Sequence, residues 1–394
     1  MTGGDDALPL AGLKVVEFTH MVMGPSAGVI LADLGAEVVK VEPIGGDPTR
    51  RLLGSGAGYF PMYNRNKRSI CVDLKSPEGL KVARRLAAGA DVVIENFRPG
   101  ALVKLGLDCE SLRAENPRLI YCSAKGFLKG PYENRAALDE VAQMMGGLAY
   151  MTGPPGRPLR AGASVIDVTG GMFGAIAILA ALEERRRTGL GQEVKCSLFE
   201  TTAFLVGQHM AQMAVTGVAA KPMPARVSAW AIYDVFETQD AQQVFVGVVS
   251  DAQWIAFCRG FGLEEFAADV SLALNNQRVE ARERILPKVR ELFAGLPAAD
   301  LLARLEKIGL PFAPICRPED LFDDPQLQAQ GLVDITLADG RTTSLPALPV
   351  EIGQQRMGVR IDVPSAGQQS REILAGVGLP DDEIDTLIAA GAVA

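Results

Sequence analysis

Residues 14–41 read KVVEFTHMVMGPSAGVILADLGAEVVKV, and this stretch decides the fold of the chain. Its two ends, KVVEF and EVVKV, are short valine-rich runs typical of buried strands. Gly24-Pro25 breaks the chain after the first run, and residues 26–34 then have the spacing of a helix that ends at Gly35. A strand, a helix and a strand in this order predict a right-handed βαβ unit, and therefore a parallel sheet.

The same alternation continues through the first half of the chain. Ser76-Pro77 opens a helix, and two more strands are predicted at 91–94 and 119–122. This pattern is typical of a doubly wound α/β domain. The loop after the first strand lacks the G-x-G-x-x-G fingerprint of dinucleotide-binding proteins, which disfavours nicotinamide or flavin chemistry.

The pattern of predicted elements changes after KPMPAR, residues 221–226, which we interpret as a linker. Residues 231–237 and 244–249 have the pattern of paired strands, and a helix is predicted at 254–261. Short strands and a final helix at 381–390 close the chain. These features predict a second, smaller α/β domain.

Composition limits the classes of function. The 394 residues are 48% hydrophobic and 22% charged, which is globular, and the net charge of −8 disfavours non-specific binding to nucleic acid or to anionic lipid. The longest apolar run, residues 168–182, is shorter than the about 20 residues that span a bilayer, so we expect a buried core helix there. The acidic start, MTGGDD, predicts no signal peptide, and we expect a cytoplasmic protein that binds neither membrane nor nucleic acid.

The metal-ligating residue types are scattered. Six cysteines occur without a C-x-x-C pair, and the only histidines are His20 and His209. A structural zinc site needs four clustered ligands, so no metal site is predicted. Isolated cysteines with apolar neighbours suit a reducing compartment.

Asp167 is the first candidate for chemistry. It follows a Gly/Pro-rich loop and precedes a helix that starts with the small residues VTGG, which would let another backbone or a ligand approach closely. One interpretation is a helix N-cap. The other is a carboxylate nucleophile that forms a covalent intermediate, with free N–H groups of the helix start and of Gly170 and Gly171 around the developing oxyanion.

Two further groups of residues could bind a ligand. A basic group consists of Arg50, Arg51, Arg65, Lys67, Arg68 and Lys75. It is either a solvated face or a pocket for phosphate or carboxylate. A second group follows predicted strands: Asn96 comes after DVVI and His20 comes after KVVEF, at the edge of a parallel sheet where ligands bind. Asn96 could equally be an ordinary turn residue.

Seven blocks of sequence follow one another over nearly the whole chain: GLKVVEFTHMVMGPSAGVILADLGAEVVKVEP, NRNKRSICVDLKSPEG, ADVVIENFRPGAL, LGLDCESL, NPRLIYCSAKGF, ASVIDVTGGMFGAIAILAALEERRRTGLGQEV and GLPFAPICRPEDLFDDPQLQAQGLV. Together and in this order they resemble the class III CoA-transferases, the family of formyl-CoA transferase and carnitine CoA-transferase, which share a fold with α-methylacyl-CoA racemase.

The resemblance implies a mechanism and a set of site residues. Asp167 matches the family aspartate, which attacks an acyl-CoA thioester to give an aspartyl–acyl anhydride and then an aspartyl-CoA thioester. Coenzyme A and acyl-CoA are thus expected as substrates, with a small carboxylic acid as partner and no permanently bound cofactor. The positions that match family CoA contacts are His20, Lys75, Asn96, Phe97 and Lys104, together with Arg65, Lys67 and Arg68.

The resemblance also implies an architecture. A Rossmann-like large domain is expected from residues 1–200 and 326–394, a linker from 201–230 and a small domain from 231–325. Two such subunits would interlock like links of a chain, which predicts a stable homodimer.

The resemblance does not specify the donor and acceptor acids. Val22 and Leu138 stand where some relatives have Gln and Tyr, which weakens the inference of formate, oxalate or carnitine as a substrate. Arg157 and Arg160, on the loop before Asp167, are either surface residues or contacts for a second carboxylate on the substrate, with succinyl-CoA as the donor we expect.

Three other functions fit the same fold. An acyl-CoA racemase or epimerase would need a second acid/base group, and residues 131–147 contain no His. Intramolecular CoA transfer within one diacid is another alternative. A non-catalytic CoA-binding protein is the third, and the presence of Asp167 argues against it.

Overall fold

The central element is a parallel six-stranded sheet with the order β3-β2-β1-β4-β5-β6. The structure, a computed structural model, describes residues 8–226 and 228–394. The strands are β1 (Lys14–Phe18), β2 (Glu37–Glu42), β3 (Lys67–Cys71), β4 (Val92–Glu95), β5 (Ile120–Lys125) and β6 (Glu193–Ser197). This order reverses between β1 and β4, which is where ligands bind in Rossmann-like sheets. The predicted parallel α/β fold is confirmed.

The middle of the sheet is buried on both faces. Val15 of β1 lies beside Val38 of β2 and Val92 of β4. These side chains belong to the core on one face of the sheet, whereas Val16 and Phe18 belong to the core on the other face. A strand covered on both sides reads as a continuous apolar run, which is why KVVEF and EVVKV predict strands correctly.

Helices cover both faces of this sheet. They are α1 (Met23–Asp33), α2 (Tyr59–Tyr63), α3 (Pro77–Ala88), α4 (Cys109–Glu115), α5 (Asp139–Met145), α6 (Leu148–Thr152), α7 (Val165–Thr188) and α8 (Leu198–Thr216). The predicted start of α3 is confirmed, since the Ser76 hydroxyl accepts the N–H of Gly79 at 3.0 Å. Ser26 is not the cap of α1, because this helix begins three residues earlier. Helix α8 occupies half of the range predicted as a linker, residues 201–230.

Residues Ala225–Asp324 form a compact unit of their own. An antiparallel sheet with the order β7-β8-β9 consists of β7 (Tyr233–Glu237), β8 (Gln243–Gly247) and β9 (Phe312–Pro314). Its helices are α9 (Asp251–Gly260), α10 (Glu264–Ala268), α11 (Asn275–Glu280), α12 (Arg282–Ala294) and α13 (Ala298–Ile308). Trp254, Phe257 and Phe293 are fully buried at the centre of its core.

The remaining chain, Pro325–Ala394, belongs to the same compact unit as the large sheet. It contains α14 (Pro325–Gln330), β10 (Leu332–Thr336), β11 (Thr342–Pro346), β12 (Glu351–Ile352), β13 (Gln355–Arg356), α15 (Ser370–Gly376) and α16 (Asp381–Ala389). Ile373, Leu374 and Ile384 share a core with Phe18. Gln369 accepts the N–H of Ser69 in β3 at 2.9 Å, so this segment lies against the edge of the sheet.

Helix α7 packs closely against α1 because of its glycines. A Cβ atom at Gly171 would lie 2.6 Å from the Met23 carbonyl oxygen and 2.7 Å from the Ser26 Cβ. The close approach expected from the small residues after Asp167 is therefore made by the backbone of α1. The expected buried core helix is found in part: one face of α7 lines a core, whereas the opposite face is exposed, with Met172, Ile176 and Leu179 at the surface. By length and composition alone this helix could span a membrane. This is weak evidence for a membrane span, because the same helix also lines a core.

Replacing Gly171 tests this packing. We expect Gly171→Ala to lower the free energy of unfolding by about 1–3 kcal/mol, because the added methyl group has to push two backbones apart. Urea unfolding measures the change. Gly376→Ala is the control, since open space surrounds that position. Equal stability of the Gly171 variant and the wild type would contradict the assigned packing.

Candidate active site

Asp167 lies in a small cavity beside the carboxyl ends of β1, β4 and β5. The cavity has a volume of about 260 Å³ and is lined by residues that include His20, Asn96, Asp139, Glu140, Arg160 and Asp167. A second, larger groove of about 880 Å³ shares His20 and Met21 with it. The two spaces therefore adjoin at the loop that follows β1.

The larger groove suits an extended ligand with an apolar portion. Its walls carry the side chains of Val41, Ile44, Leu52, Leu74 and Phe97, and Lys75 provides an exposed cation. Because this groove meets the small cavity at His20, a long ligand in the groove can direct one end towards Asp167.

The start of α7 places Asp167 but offers no free N–H group. The N-cap residue is Ser164, and Asp167 stands in the first turn, so the N-cap interpretation of Asp167 is wrong. The N–H groups of Ile166 and Asp167 donate to the Asp139 carboxylate at 2.9 and 3.1 Å, and that of Val168 donates to the Ser164 carbonyl at 3.0 Å. The expected oxyanion contacts from this turn are therefore already taken. Gly170 and Gly171 lie further along the helix, where N–H groups bond within it.

Asp139 and Gln143 of α5 form a clamp on the segment that carries Asp167. Gln143 donates to Asp139 at 2.5 Å and accepts the N–H of Ala161 at 2.8 Å. Asp139 is 4% exposed, and its carboxylate takes the place of a side-chain cap on α7. Sequence reasoning missed this role. The spacing of four residues, which puts both side chains on one helix face, was the available signal.

The surroundings of Asp167 bring the pKa of its carboxyl group close to neutral pH. Burial, followed by the nearby carboxylates of Asp139 and Glu140, raises the pKa of Asp167 to about 7, and Arg160 acts in the opposite direction. A carboxylate with a pKa near neutrality is ionised in part at pH 7 and poorly solvated. Such a group can act as a nucleophile or as an acid/base.

His20 and Asn96 form the junction between the two spaces. The Asn96 side chain accepts the N–H of His20 at 3.0 Å and donates to its carbonyl oxygen at 2.9 Å. The His20 ring packs edge-on against Phe97, with centroids 5.4 Å apart. Burial lowers the pKa of His20, which favours the neutral form of the ring. Asn96 thus fixes the backbone that presents His20 to both cavities.

The structure does not bring Arg65, Lys67 or Arg68 to this site. Lys67 is fully buried and donates to Glu17 at 2.8 Å, and Arg65 is buried and bonds Asp33 at 2.7 Å. Their charges are matched inside the fold and are therefore closed to a ligand. Arg68 pairs with Glu37 and Glu372 and lines a separate cavity at the amino ends of the strands.

Two further predicted residues lie outside both spaces. Lys104 is exposed on a short 3-10 helix after β4, and Arg157 is exposed on the loop before α7. Arg160, in contrast, lines the cavity of Asp167. Within residues 8–226 and 228–394, no group of three or more His, Cys, Asp or Glu side chains is placed to hold a metal ion.

The raised pKa of Asp167 has a consequence for stability. Between about pH 4, where an aspartate titrates in an unfolded chain, and about pH 7, the folded state holds a proton that the unfolded state has lost. The free energy of unfolding of the wild type should therefore fall across this window relative to that of Asp167→Asn, and the difference should level off above it. Urea unfolding of both proteins at several pH values measures it. A difference that is independent of pH would contradict the assigned pKa.

Residues 10–370 match the family described as CoA-transferase family III. The succinate–glutarate CoA-transferase of Agrobacterium fabrum is 37% identical over 93% of this chain and 95% of that protein. The succinyl-CoA:glutarate CoA-transferase of Mus musculus is 33% identical over 99% of this chain and 91% of that protein.

A solved structure agrees with these relatives. The crystal structure of a CAIB/BAIF family protein from Brucella suis has a TM-score of 0.82 and 36% identity, over 94% of this chain and 99% of that one. The predicted fold class and the predicted enzyme class, a CoA-transferase that acts on CoA thioesters, are confirmed. The chain belongs to CoA-transferase family III.

Proposed function

We propose that this enzyme moves CoA from an acyl-CoA donor to a small carboxylic acid through covalent intermediates on Asp167. The observation that carries the proposal is the position of Asp167, in a small cavity that adjoins a long groove. An acyl-CoA in the groove would place its thioester at the junction near His20, within the same cavity as the carboxyl of Asp167.

The chemistry proceeds in four balanced steps. The Asp167 carboxylate attacks the thioester carbonyl carbon, the C–S bond breaks, and an aspartyl–acyl anhydride and CoA thiolate result. The thiolate attacks the Asp167 carbonyl carbon, which releases the first acid and leaves an aspartyl-CoA thioester. The acceptor carboxylate then attacks the carbonyl carbon of this thioester, the C–S bond breaks, and a second anhydride and CoA thiolate result. Attack of the thiolate on its acyl carbon yields the new acyl-CoA and restores Asp167.

The environment of Asp167 supports this role. Burial and two neighbouring carboxylates destabilise the ionised form of Asp167. Attack on the thioester neutralises this carboxylate and so relieves part of the destabilisation. The same limited solvation protects an anhydride from water. Of the predicted CoA contacts, His20, Lys75 and Phe97 line the groove, and Asn96 lines the small cavity. We retain these four as the CoA-binding set.

The small cavity favours a short acyl group. Its volume of about 260 Å³ accommodates a chain of a few carbons. Relatives of this chain are named as transferases of succinyl-CoA with glutarate, D-citramalate or mesaconate. We therefore propose succinyl-CoA as the donor and a small dicarboxylic acid as the acceptor.

We further propose a homodimer and a cytoplasmic location. An apolar surface on α7 and α8 supports the dimer, because the side chains of Met172, Ile176, Phe204, Met210 and Met213 are all exposed on it. Large exposed apolar side chains on two neighbouring helices are typical of an interaction surface. The cysteines are free, and four of the six are buried, which agrees with a reducing compartment.

Substitution of Asp167 tests the proposed nucleophile. Asp167→Asn keeps the shape of the side chain but removes the charge, so it should bind acyl-CoA nearly normally. Its transfer rate should be at least about three orders of magnitude lower, roughly 4 kcal/mol of barrier. Steady-state kinetics with succinyl-CoA and a panel of small acids measures the loss. Normal turnover by this variant, with deamidation excluded, would contradict the assignment.

Trapping locates the intermediate. Hydroxylamine, added to the wild type with acyl-CoA, should convert Asp167 to a hydroxamate, a gain of about 15 Da in its peptide. Mass spectrometry of the digested protein identifies the residue. Asp139 and Glu140 are internal controls in the same cavity, and a hydroxamate on either of them would contradict the proposal.

Light scattering after size-exclusion chromatography tests the dimer. We expect twice 41.8 kDa even at nanomolar concentration, because an interlocked pair separates only by local unfolding. A folded and active monomer would show that the apolar surface of α7 and α8 has another purpose.

A further inference from the structure

Arg160 is the only guanidinium that lines the cavity of Asp167 among the residues that the structure describes. Three groups hold it. Its Nε donates to the Ala161 carbonyl at 3.1 Å, its Nη2 lies 3.4 Å from the Asp139 carboxylate, and its Nη1 bonds Glu140. The side chain of Arg160 is 32% exposed, so one edge of it remains open to the cavity.

The three partners of Arg160 differ in how firmly they are built into the fold. Ala161 is its neighbour in the chain, and the Asp139 carboxylate is buried and committed to the start of α7. The side chain of Glu140, in contrast, is 50% exposed. Within residues 8–226 and 228–394 its only ion pair is with Arg160. A rotation about its side-chain bonds would release it into solvent.

We infer that Glu140 is a replaceable counter-ion, and that the distal carboxylate of a dicarboxylic substrate takes its place on Arg160. The inference rests on the proposed function and adds how the site selects dicarboxylates. Arg160 and Asp167 line the same cavity, so one substrate can present its reacting carboxyl to Asp167 and its second carboxylate to Nη1 of Arg160.

Charge balance supports the exchange. Among the described residues, Lys125 is the second cation that lines the cavity. It bonds the buried Glu95 carboxylate at 2.6 Å and the Phe97 carbonyl at 2.8 Å, and neither partner is free to leave. A second carboxylate that entered while Glu140 stayed in place would face Asp139, Glu140 and Asp167. When it replaces Glu140, the number of negative charges near Asp167 is unchanged, and Arg160 keeps a charge-assisted bond.

A monocarboxylic substrate gains nothing from this arrangement. Its apolar end cannot displace Glu140, and it would lie against a closed ion pair, which it partly desolvates at a cost. The site should therefore discriminate between acyl groups of equal length according to their distal end. The discrimination should depend on Arg160 and not on Arg157, which is exposed on the same loop and lies outside the cavity.

Binding to a variant that cannot turn over tests the exchange without relying on the reaction. In the Asp167→Asn background, the dissociation constants of succinyl-CoA and butyryl-CoA are measured by calorimetry. Both acyl groups have four carbons and differ in the distal carboxylate. We expect succinyl-CoA to bind about tenfold more tightly. Added Arg160→Gln should abolish the preference, and added Glu140→Gln should increase it by about two- to fivefold, because a surface ion pair no longer competes.

The ratio of the dissociation constants of butyryl-CoA and succinyl-CoA distinguishes a loss of carboxylate recognition from damage to the structure. If Arg160→Gln only disturbed the loop, it would weaken both ligands equally and leave the ratio unchanged. Arg157→Gln removes the same charge from the same loop, and we expect no change in the ratio. Equal binding of the two ligands to Asp167→Asn overturns the inference. So does an unchanged ratio after Arg160→Gln, or a lower ratio after Glu140→Gln. Transfer by the wild type tests the proposed function separately.

Discussion

The two hydrogen bonds from the N–H groups of Ile166 and Asp167 to the Asp139 carboxylate are the contact on which the site depends. They cap α7, fix the first turn and keep a second negative charge close to Asp167. One buried carboxylate thus both positions the other and raises its pKa to about 7, together with the larger effect of burial. Removing Asp139 would therefore alter geometry and ionisation at once, since it would leave two N–H groups without an acceptor.

Placing several carboxylates in one cavity destabilises the folded state, and the rest of the domain offsets this cost. The glycine-mediated contact of α7 with α1 and the doubly covered sheet hold the elements that carry Asp139, Asp167 and His20. Below the loop after β1, the buried Lys40 donates to the Thr19 carbonyl at 2.8 Å and pairs with Asp47 at 3.1 Å. Asn96 holds the next residue, His20. Hydrogen bonds therefore hold the junction of groove and cavity from both sides, which suits a site that has to align a thioester.

The sequence predicted those features whose cause is local. Valine-rich runs gave β1 and β2, and Ser76-Pro77 gave the start of α3. Features that depend on partners distant in the chain could not be read from it. Arg65 and Lys67 resemble ligand-binding cations in the sequence, but they are neutralised by Asp33 and Glu17, which lie more than thirty residues earlier. The clamp of Asp139 and Gln143 on Asp167 was missed for the same reason, and so was the difference between the exposed Arg157 and Arg160 in the cavity.

The central claim is that Asp167 takes part covalently, and oxygen labelling tests it most directly. With an acceptor acid that carries ¹⁸O in both carboxyl oxygens, the acceptor attacks aspartyl-CoA, and one labelled oxygen stays on Asp167 when the thiolate cleaves the anhydride. After a single turnover, the peptide that contains Asp167 should be heavier by about 2 Da, and the new acyl-CoA should retain one ¹⁸O in its thioester carbonyl; repeated turnover should bring the gain towards about 4 Da. An unlabelled Asp167 after many turnovers, or label on Asp139 instead, would contradict the account.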